Sequence, residues 1–454
     1  MRRLFVALPL LSALLLSGCS QTEVPPWLSG TKPAPQNRAE APPVQAPAGQ
    51  RPQVQLPAPV PAPTPVPAPV RSEPLPPALP PVPTPMAGAS FQGREEIRAA
   101  LLVPLSGPYA AWGQAMSNAA QMALFDVADE RLNLIPLDTK GTSEGAVAAL
   151  EQARTQGADI ILGPVFSPEV KAVAPQARAW GIPLVSFTTD RSMLGQGIYT
   201  LGFLPESQIQ RVVIHARSQG KQRFALLARA DEYGQAVAEA FRNVVPQVGG
   251  QVAKVEFYDP QAKDVSNTIK RFTESDARTR GRDRKEVGAI PPPPFDAVLI
   301  ADEGTRLRTV SSLVTYYEVD IDKVPLLGTM LWDDPRLAAE PSLQGAWFAA
   351  PAAEGYAEFE RRYAAAFGSR PPRAGTLRAS LAYDATALAA ALVRQNLDYS
   401  AATLTNSGGF AGMDGLFRLR ADGTVERGLA VREIAKAGIR DIAPSPTSFA
   451  QPGM

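Results

Sequence analysis

The chain predicts an α/β fold of two doubly wound parallel-sheet lobes, and three observations carry that expectation. From Ile97 onward, short apolar runs alternate with helix-patterned segments. The alternation pauses near Leu204 and restarts, giving two blocks of β and α units, as two doubly wound lobes require. Ahead of both blocks lies a proline-rich stretch that can join neither.

Taken in order, residues 97–105 are a nearly continuous apolar run, as expected of a strand buried on both faces of a parallel sheet. The run breaks at Ser106-Gly107-Pro108, after which Ala115, Ala119, Met122 and Ala123 fall on one helix face. Thr142 or Ser143 caps the next helix, whose Ala146, Leu150 and Ala153 share a face and which Gly157 ends. Residues 159–163 form a strand. Ser167-Pro168-Glu169 then reads as N-cap, first helical position and acidic first turn, and 182–187 is the strand that follows.

In the second block, helices at 209–219, 234–245 and 264–273 alternate with strands at 223–228, 252–258 and 295–300. Residues 274–294, with a charged run from Arg278 to Lys285 and four consecutive prolines, read as a surface loop whose charges are solvated. Residues 343–350 end a strand, and 356–367 and 377–394 are long helices. A hairpin follows, 413–419 and 424–434, around an Asp422-Gly423 turn. Helices followed by a late hairpin imply that the chain crosses between the lobes several times.

The N-terminus has a separate logic. Arg2 and Arg3 precede an apolar stretch at 4–16, too short to span a bilayer at ~20 residues. It ends in Leu16-Ser17-Gly18-Cys19, and Cys19 is the single cysteine of 454 residues. A small residue before a thiol that can carry a thioether-linked lipid resembles the lipobox of bacterial lipoproteins. That resemblance implies a signal peptide at 1–18 and a lipid on Cys19. Ser20, in place of an aspartate, implies passage to the outer membrane, facing the periplasm. With one cysteine, no internal disulfide can form.

From residue 24 to 85 lie 22 of the chain's 46 prolines. Pro57 to Pro65 alternates proline with other residues and cannot build a hydrogen-bonded helix or sheet. Polyproline II at ~3.1 Å per residue makes this a disordered but semi-rigid spacer that reaches up to ~200 Å. The expected organisation is a lipidated N-terminus and Pro/Ala-rich linker at 19–92, a domain at 93–440 and a flexible tail at 441–454. Lobe one takes about 95–204 and 352–407, lobe two about 205–351 and 408–440.

Composition excludes several functions. Basic and acidic residues balance, 45 against 44, so nothing points to a nucleic-acid partner. His215 is the only histidine, which argues against a histidine-based metal site or a Ser-His-Asp triad. It reads as a solvated or capping residue on a surface helix. No nucleophile elbow, phosphate loop, metal-ligand spacing or paired-carboxylate motif appears, and neither a catalytic residue nor a cofactor is expected.

A series of motifs identifies a family. These are Val103-Pro104-Leu105-Ser106-Gly107-Pro108-Tyr109-Ala110-Ala111-Trp112-Gly113, Ile161-Leu162-Gly163-Pro164, Ile182-Pro183-Leu184-Val185-Ser186, Asp231-Glu232-Tyr233-Gly234 and Tyr383-Asp384-Ala385. Their order and spacing resemble the type I periplasmic binding fold, in its branched-chain amino acid receptor branch. The resemblance implies two lobes with three crossings and a ligand cleft at the carboxyl ends of the strands. It makes Ser106, Tyr109, Ser167 and Tyr233 the candidate cleft residues. An amino acid there needs hydroxyls and N–H groups for its carboxylate and an acid for its ammonium. The second loop offers one hydroxyl, Ser167. Gly328-Thr329-Met330-Leu331-Trp332 is apolar where that branch carries its acid, although Asp333 and Asp334 follow.

Outer-membrane lipoproteins that activate penicillin-binding proteins, the peptidoglycan synthases, use the same fold. The lipobox, the spacer, the reduced pocket and the ending from Phe410 to Leu419, with Asp422-Gly423 and Arg427 to Val431, resemble that group more closely. The favoured expectation is therefore a lipoprotein that regulates a peptidoglycan synthase. The alternative is the substrate-binding receptor of an ABC transporter for branched-chain amino acids or a related small molecule.

Overall fold

A computed structural model describes residues 90–127, 129–280 and 290–449. Cys19, the expected signal peptide at 1–18, the expected spacer and most of the charged run at 278–285 lie outside them.

The first lobe is built from β1 (Ile97–Val103), α1 (Ala110–Val127), β2 (Leu132–Asp138), α2 (Ser143–Thr155), β3 (Ile160–Leu162), α3 (Ser167–Trp180), β4 (Leu184–Ser186) and β5 (Ile198–Thr200). Its five strands are parallel, in the order β2-β1-β3-β4-β5. Successive residues of β1 serve opposite faces, because strand side chains alternate. Ala100 and Leu102 pack with Ala146, Leu150 and Val173 of α2 and α3. Ala99, Leu101 and Val103 pack in the other core with Met116, Ala119 and Ala123 of α1.

The second lobe continues with α4 (Pro205–Ser218), β6 (Arg223–Arg229), α5 (Glu232–Gln247), β7 (Gln251–Tyr258), α6 (Ser266–Phe272), α7 (Ser275–Thr279), β8 (Ala297–Ala301), α8 (Gly304–Tyr316), β9 (Leu326–Gly328) and β10 (Trp347–Ala350). The chain then returns through α9 (Ala353–Phe367), β11 (Arg373–Ala374), β12 (Leu377–Arg378), α10 (Ser380–Arg394) and α11 (Ala401–Leu404). Helix α10 lies along α1. Helix α9 is tied to α1 by Asn118 Nδ2 donating to Tyr363 Oη at 3.0 Å, and by Arg362 against Asp126.

Strands β13 (Phe410–Gly412), β14 (Gly415–Leu419) and β15 (Val425–Arg427) form a small antiparallel sheet. Strands β16 (Ala430–Ala435) and β17 (Gly438–Ala443) complete the second sheet in the order β17-β16-β10-β9-β8-β6-β7, with β16 antiparallel to β10. The polypeptide thus passes between the lobes after β5, after β10 and after β15, giving the expected type I periplasmic-binding-protein architecture.

Several expectations need correction. Helix α3 begins at Ser167 itself, with Phe166 as its N-cap, so the Ser167 hydroxyl does not cap it. Thr142, not Ser143, caps α2, its Oγ1 accepting from Gly145 N at 3.0 Å. Helix α10 starts at Ser380, because Leu377 and Arg378 are drawn into strand β12. The second hairpin arm is broken at Gly428 and Leu429, and its continuation β16 belongs to the other sheet.

Strand β17 carries the fold past residue 440, into the expected tail. Strands β2, β5 and β9 and helix α8 have no counterpart in the sequence reading; β5 and β9 are three residues long and β2 is mixed in polarity. His215 is not solvated: it is half-buried, edge-on to Trp347 at 4.9 Å, and burial lowers its pKa. Arg278 is buried and donates to the carbonyls of Thr273, Pro291, Tyr317 and Glu318, so that charge pins the loop instead of solvating it.

Candidate functional site

The carboxyl ends of the parallel strands hold all four candidate cleft residues, Ser106 and Tyr109 in the β1–α1 loop and Ser167 and Tyr233 in the first turns of α3 and α5. At the first sheet, Asp138 ends β2 and its carboxylate gathers the β1–α1 loop. It accepts from Leu105 N at 2.8 Å, Ser106 N at 3.2 Å and Ser106 Oγ at 2.6 Å. Burial pushes this carboxyl up, but these bonds and Lys140 N hold it below the usual range. Tyr109 packs against Phe166 at 4.7 Å between ring centres. Ser167 Oγ lies 2.9 Å from Thr188 Oγ1 at the end of β4.

Beneath this rim sits Glu169, fully buried, accepting from Phe166 N at 2.9 Å and Val165 N at 3.2 Å. Burial drives its carboxyl up to about 7, against the pull of Thr139 and the two amides.

The second rim is differently charged. Asp231 caps α5 by accepting from Gly234 N at 2.9 Å. Gly113 and Gly234 open their helices where a Cβ would stand 1.9 Å from the oxygens of Pro104 and Arg229, so both motifs need glycine for close approach. Tyr233 Oη lies 2.8 Å from Thr329 Oγ1, and burial pushes the phenol pKa up. The Arg229 guanidinium stands 5.1 Å over the Tyr233 ring. It also reaches Asp231 at 2.9 Å, Asp302 at 3.7 Å and Glu303 at 3.9 Å. Tyr258 Oη donates to Asp302 at 2.6 Å. On the first rim, Lys171 of α3 pairs with Asp190 at 2.7 Å, and that bond raises its pKa.

At the crossings lies a cluster that no local pattern announces. Met330–Trp332 form a 3-10 turn, with Trp332 Nε1 donating to Asp302 O at 3.1 Å. The next residue, Asp333, meets three guanidiniums: Arg373, Arg378 at 2.9 Å and Arg432 at 2.5 Å. Burial raises its carboxyl, but the three cations hold it below the usual range. Arg378 is fully buried, 4.4 Å from the Tyr356 ring centre and 3.3 Å from Asp414, which accepts from Ser380 Oγ at 2.6 Å.

Asp384 of the Tyr-Asp-Ala motif is buried close by and accepts from Met413 N at 2.6 Å; burial and the charge of Asp414 push it up. Arg427 is equally buried, with its guanidinium 4.1 Å over Phe203. Gln208 completes the junction, donating to Phe203 O and Leu204 O while accepting from Met330 N at 2.8 Å.

Ser106, Tyr109 and Ser167 therefore share one rim, and Tyr233 stands on the other. Each has its partner within its own lobe. Among the described residues, no group of three or more His, Cys, Asp or Glu side chains could hold a metal ion. No described helix is long and apolar enough to cross a membrane.

The family model of the periplasmic binding proteins matches residues 96–438. The chain belongs to this family. Among solved structures, the periplasmic ligand-binding protein of a branched chain amino acid ABC transporter from Burkholderia xenovorans LB400 is similar with a TM-score of 0.59. It is 17% identical, over 77% of this chain and 96% of that one. An ABC transporter substrate-binding protein from Sphaerobacter thermophilus gives 0.58 at 18% identity, over 77% and 97%. These likenesses establish the fold alone.

Among curated proteins, Uncharacterized protein RP748 of Rickettsia prowazekii (strain Madrid E) is 23% identical over 181 residues, 40% of this chain and 48% of that protein. Penicillin-binding protein activator LpoA of Haemophilus ducreyi is 29% identical over 172 residues, 37% and 28%. The matches thus span less than half the length of these relatives.

As a periplasmic binding protein, the chain keeps the two rims but fills them with internal pairs. Sequence reasoning missed Thr188, Thr329, Glu169 and the arginines around Asp333. The arginines stand 40, 45 and 99 residues after Asp333, a spacing with no local signal.

Proposed function

We propose that this chain is a cell-envelope lipoprotein whose periplasmic-binding-protein domain binds and activates a penicillin-binding protein, a peptidoglycan synthase. On this reading a lipid on Cys19 holds it at the outer membrane, and residues 19–92 carry the 93–440 domain into the periplasm. One observation carries the reading. Asp333 follows the turn where an amino-acid receptor needs its ammonium acceptor, and three arginines already compensate it. An ammonium there would find this carboxylate already paired with three guanidiniums. The named activator relatives support the same direction.

The test is reconstitution of the purified chain with the bifunctional penicillin-binding protein of the same bacterium. Direct binding and faster glycan polymerisation or crosslinking are expected. No binding and unchanged synthase rates would sink the proposal.

Glu303 favours a second reading, the transporter receptor for branched-chain amino acids or a related small molecule. Its carboxylate is about one-third exposed at the second rim, 3.9 Å from Arg229 and within reach of the charges of Asp302, Asp231 and Asp334. A ligand amine could be held there. Glu303→Gln separates the two: it removes ligand binding in a receptor and leaves synthase activation intact in an activator.

A further inference from the structure

The Asp333 cluster joins parts of the chain that belong to different lobes. Asp333 follows β9 of the second sheet, and Arg432 comes from β16 of that sheet. Arg373 and Arg378 come from the β11–β12 hairpin, an excursion between α9 and α10, which are helices of the first lobe. The hairpin also leans on the second lobe at Gly375, where an added Cβ would lie 3.2 Å from Leu331.

Behind the ion pairs, Tyr356 at the start of α9 stands under both hairpin arginines, at 5.0 Å and 4.4 Å. Phe203, on the first crossing, packs 5.6 Å from Arg378. Arg378 has no exposed surface, and Asp333 and Arg432 are about nine-tenths covered. Gln208 ties the first crossing to Met330 independently.

Rotation of one lobe against the other changes the distance between β9 and the β11–β12 hairpin. It would pull Arg373 and the fully buried Arg378 away from Asp333, leaving it only Arg432 of its own sheet, and Asp333 and Arg378 could not be resolvated without opening the core. We infer that the Asp333 cluster is an interlobe clamp that fixes the angle between the lobes, so the domain works as a rigid body and does not close around a ligand. This goes beyond the activator reading: it concerns lobe motion and holds whether or not a synthase binds. A partner of such a body reads one preformed surface, and any small molecule must fit the gap as it stands.

Spin labels provide the test in the full chain. Cys19→Ser removes the only native thiol, and Ala111→Cys and Gln235→Cys place exposed labels near the heads of α1 and α5 on the two rims. The clamp predicts one narrow interlobe distance that moves by less than about 2 Å when millimolar leucine, isoleucine or valine is added, whereas hinge closure moves more. Asp333→Asn disarms all three arms and is expected to broaden the distribution by more than about 2 Å.

Should that chain fail to fold, Arg373→Met supplies the second variant, since Arg373 is about a quarter exposed. A smaller broadening is expected there. A bimodal wild-type distribution, closure on adding an amino acid, or unchanged widths in folded variants would overturn the clamp.

Discussion

Two buried acids make opposite demands on the fold. Glu169 has its proton-bound form favoured by burial, with its carboxyl near 7 against an ordinary 4.5. The folded state therefore holds the proton more tightly than the unfolded chain. The burial penalty is absent below about pH 4.5, grows as pH rises towards 7 and is complete above it. Glu169→Gln should match the wild type in stability near pH 4.5 and exceed it by up to about 3 kcal/mol at pH 8. Denaturant melts at both pH values check this, and a pH-independent difference would refute it. Asp333 is the converse case, an acid kept ionised by three arginines. Asp333→Ala takes from the buried Arg378 and Arg432 one of their two acids, leaving Asp414 and Asp441, and should cost about 3 kcal/mol. A melting temperature equal to that of the wild type would exclude the clamp's energetic role.

At the level of elements, each rim is held by a short acidic side chain at a strand or helix end. Asp138 organises the β1–α1 loop, and Asp231 caps α5. Removing an N-cap costs ~1 kcal/mol, so Asp231→Ala should lower stability by about that amount. It also frees Arg229 from one of its three acids. Thermal unfolding checks the first effect; an unchanged midpoint would show that the Asp231 cap adds no stability. The strand–helix alternation was legible because β8 is apolar throughout and β1 and β6 are apolar apart from Arg98, Arg223 and Arg229, their central residues being buried on both faces. β5 and β9, three residues each, were not read, whereas the equally short β3 and β4 were, because apolar residues flank them in the chain. Ser167 was misread because Ser-Pro-Glu fits a cap pattern equally well one residue out of register.

For the whole molecule, reach and ligand response are the discriminating properties. If the spacer carries the domain across the envelope, deleting about 40 residues between 24 and 85 removes up to ~120 Å of span. That chain should behave as a loss of the gene product, and an unrelated proline–alanine repeat of equal length should restore function. Normal peptidoglycan synthesis with the shortened chain would rule out the reach argument. Cys19→Ala should leave the product unprocessed or soluble, and unchanged fractionation with membranes would contradict lipidation. In the binding domain, internal pairing of the rims predicts no tight binding of leucine, isoleucine or valine. A ligand at a hundredfold excess over Kd stabilises by ~2.7 kcal/mol, so a thermal shift of several degrees would favour the receptor.

The sequence by itself determined the α/β alternation, the restart after Leu204 and the family. Each rests on local periodicity or on motifs whose residues are neighbours in the chain. It also placed Ser106, Tyr109, Ser167 and Tyr233 at strand ends, where loops of parallel sheets gather. Only the tertiary structure decided what those residues do. Ser106 is bound by Asp138 32 residues away, and Tyr233 by Thr329 96 residues away. The fate of Asp333 could be settled only in three dimensions. Its partners come from a hairpin and a late strand that meet where the chain crosses between lobes. A carboxylate's availability depends on the charges within a few ångströms of it, and those arise from packing, not from sequence neighbourhood.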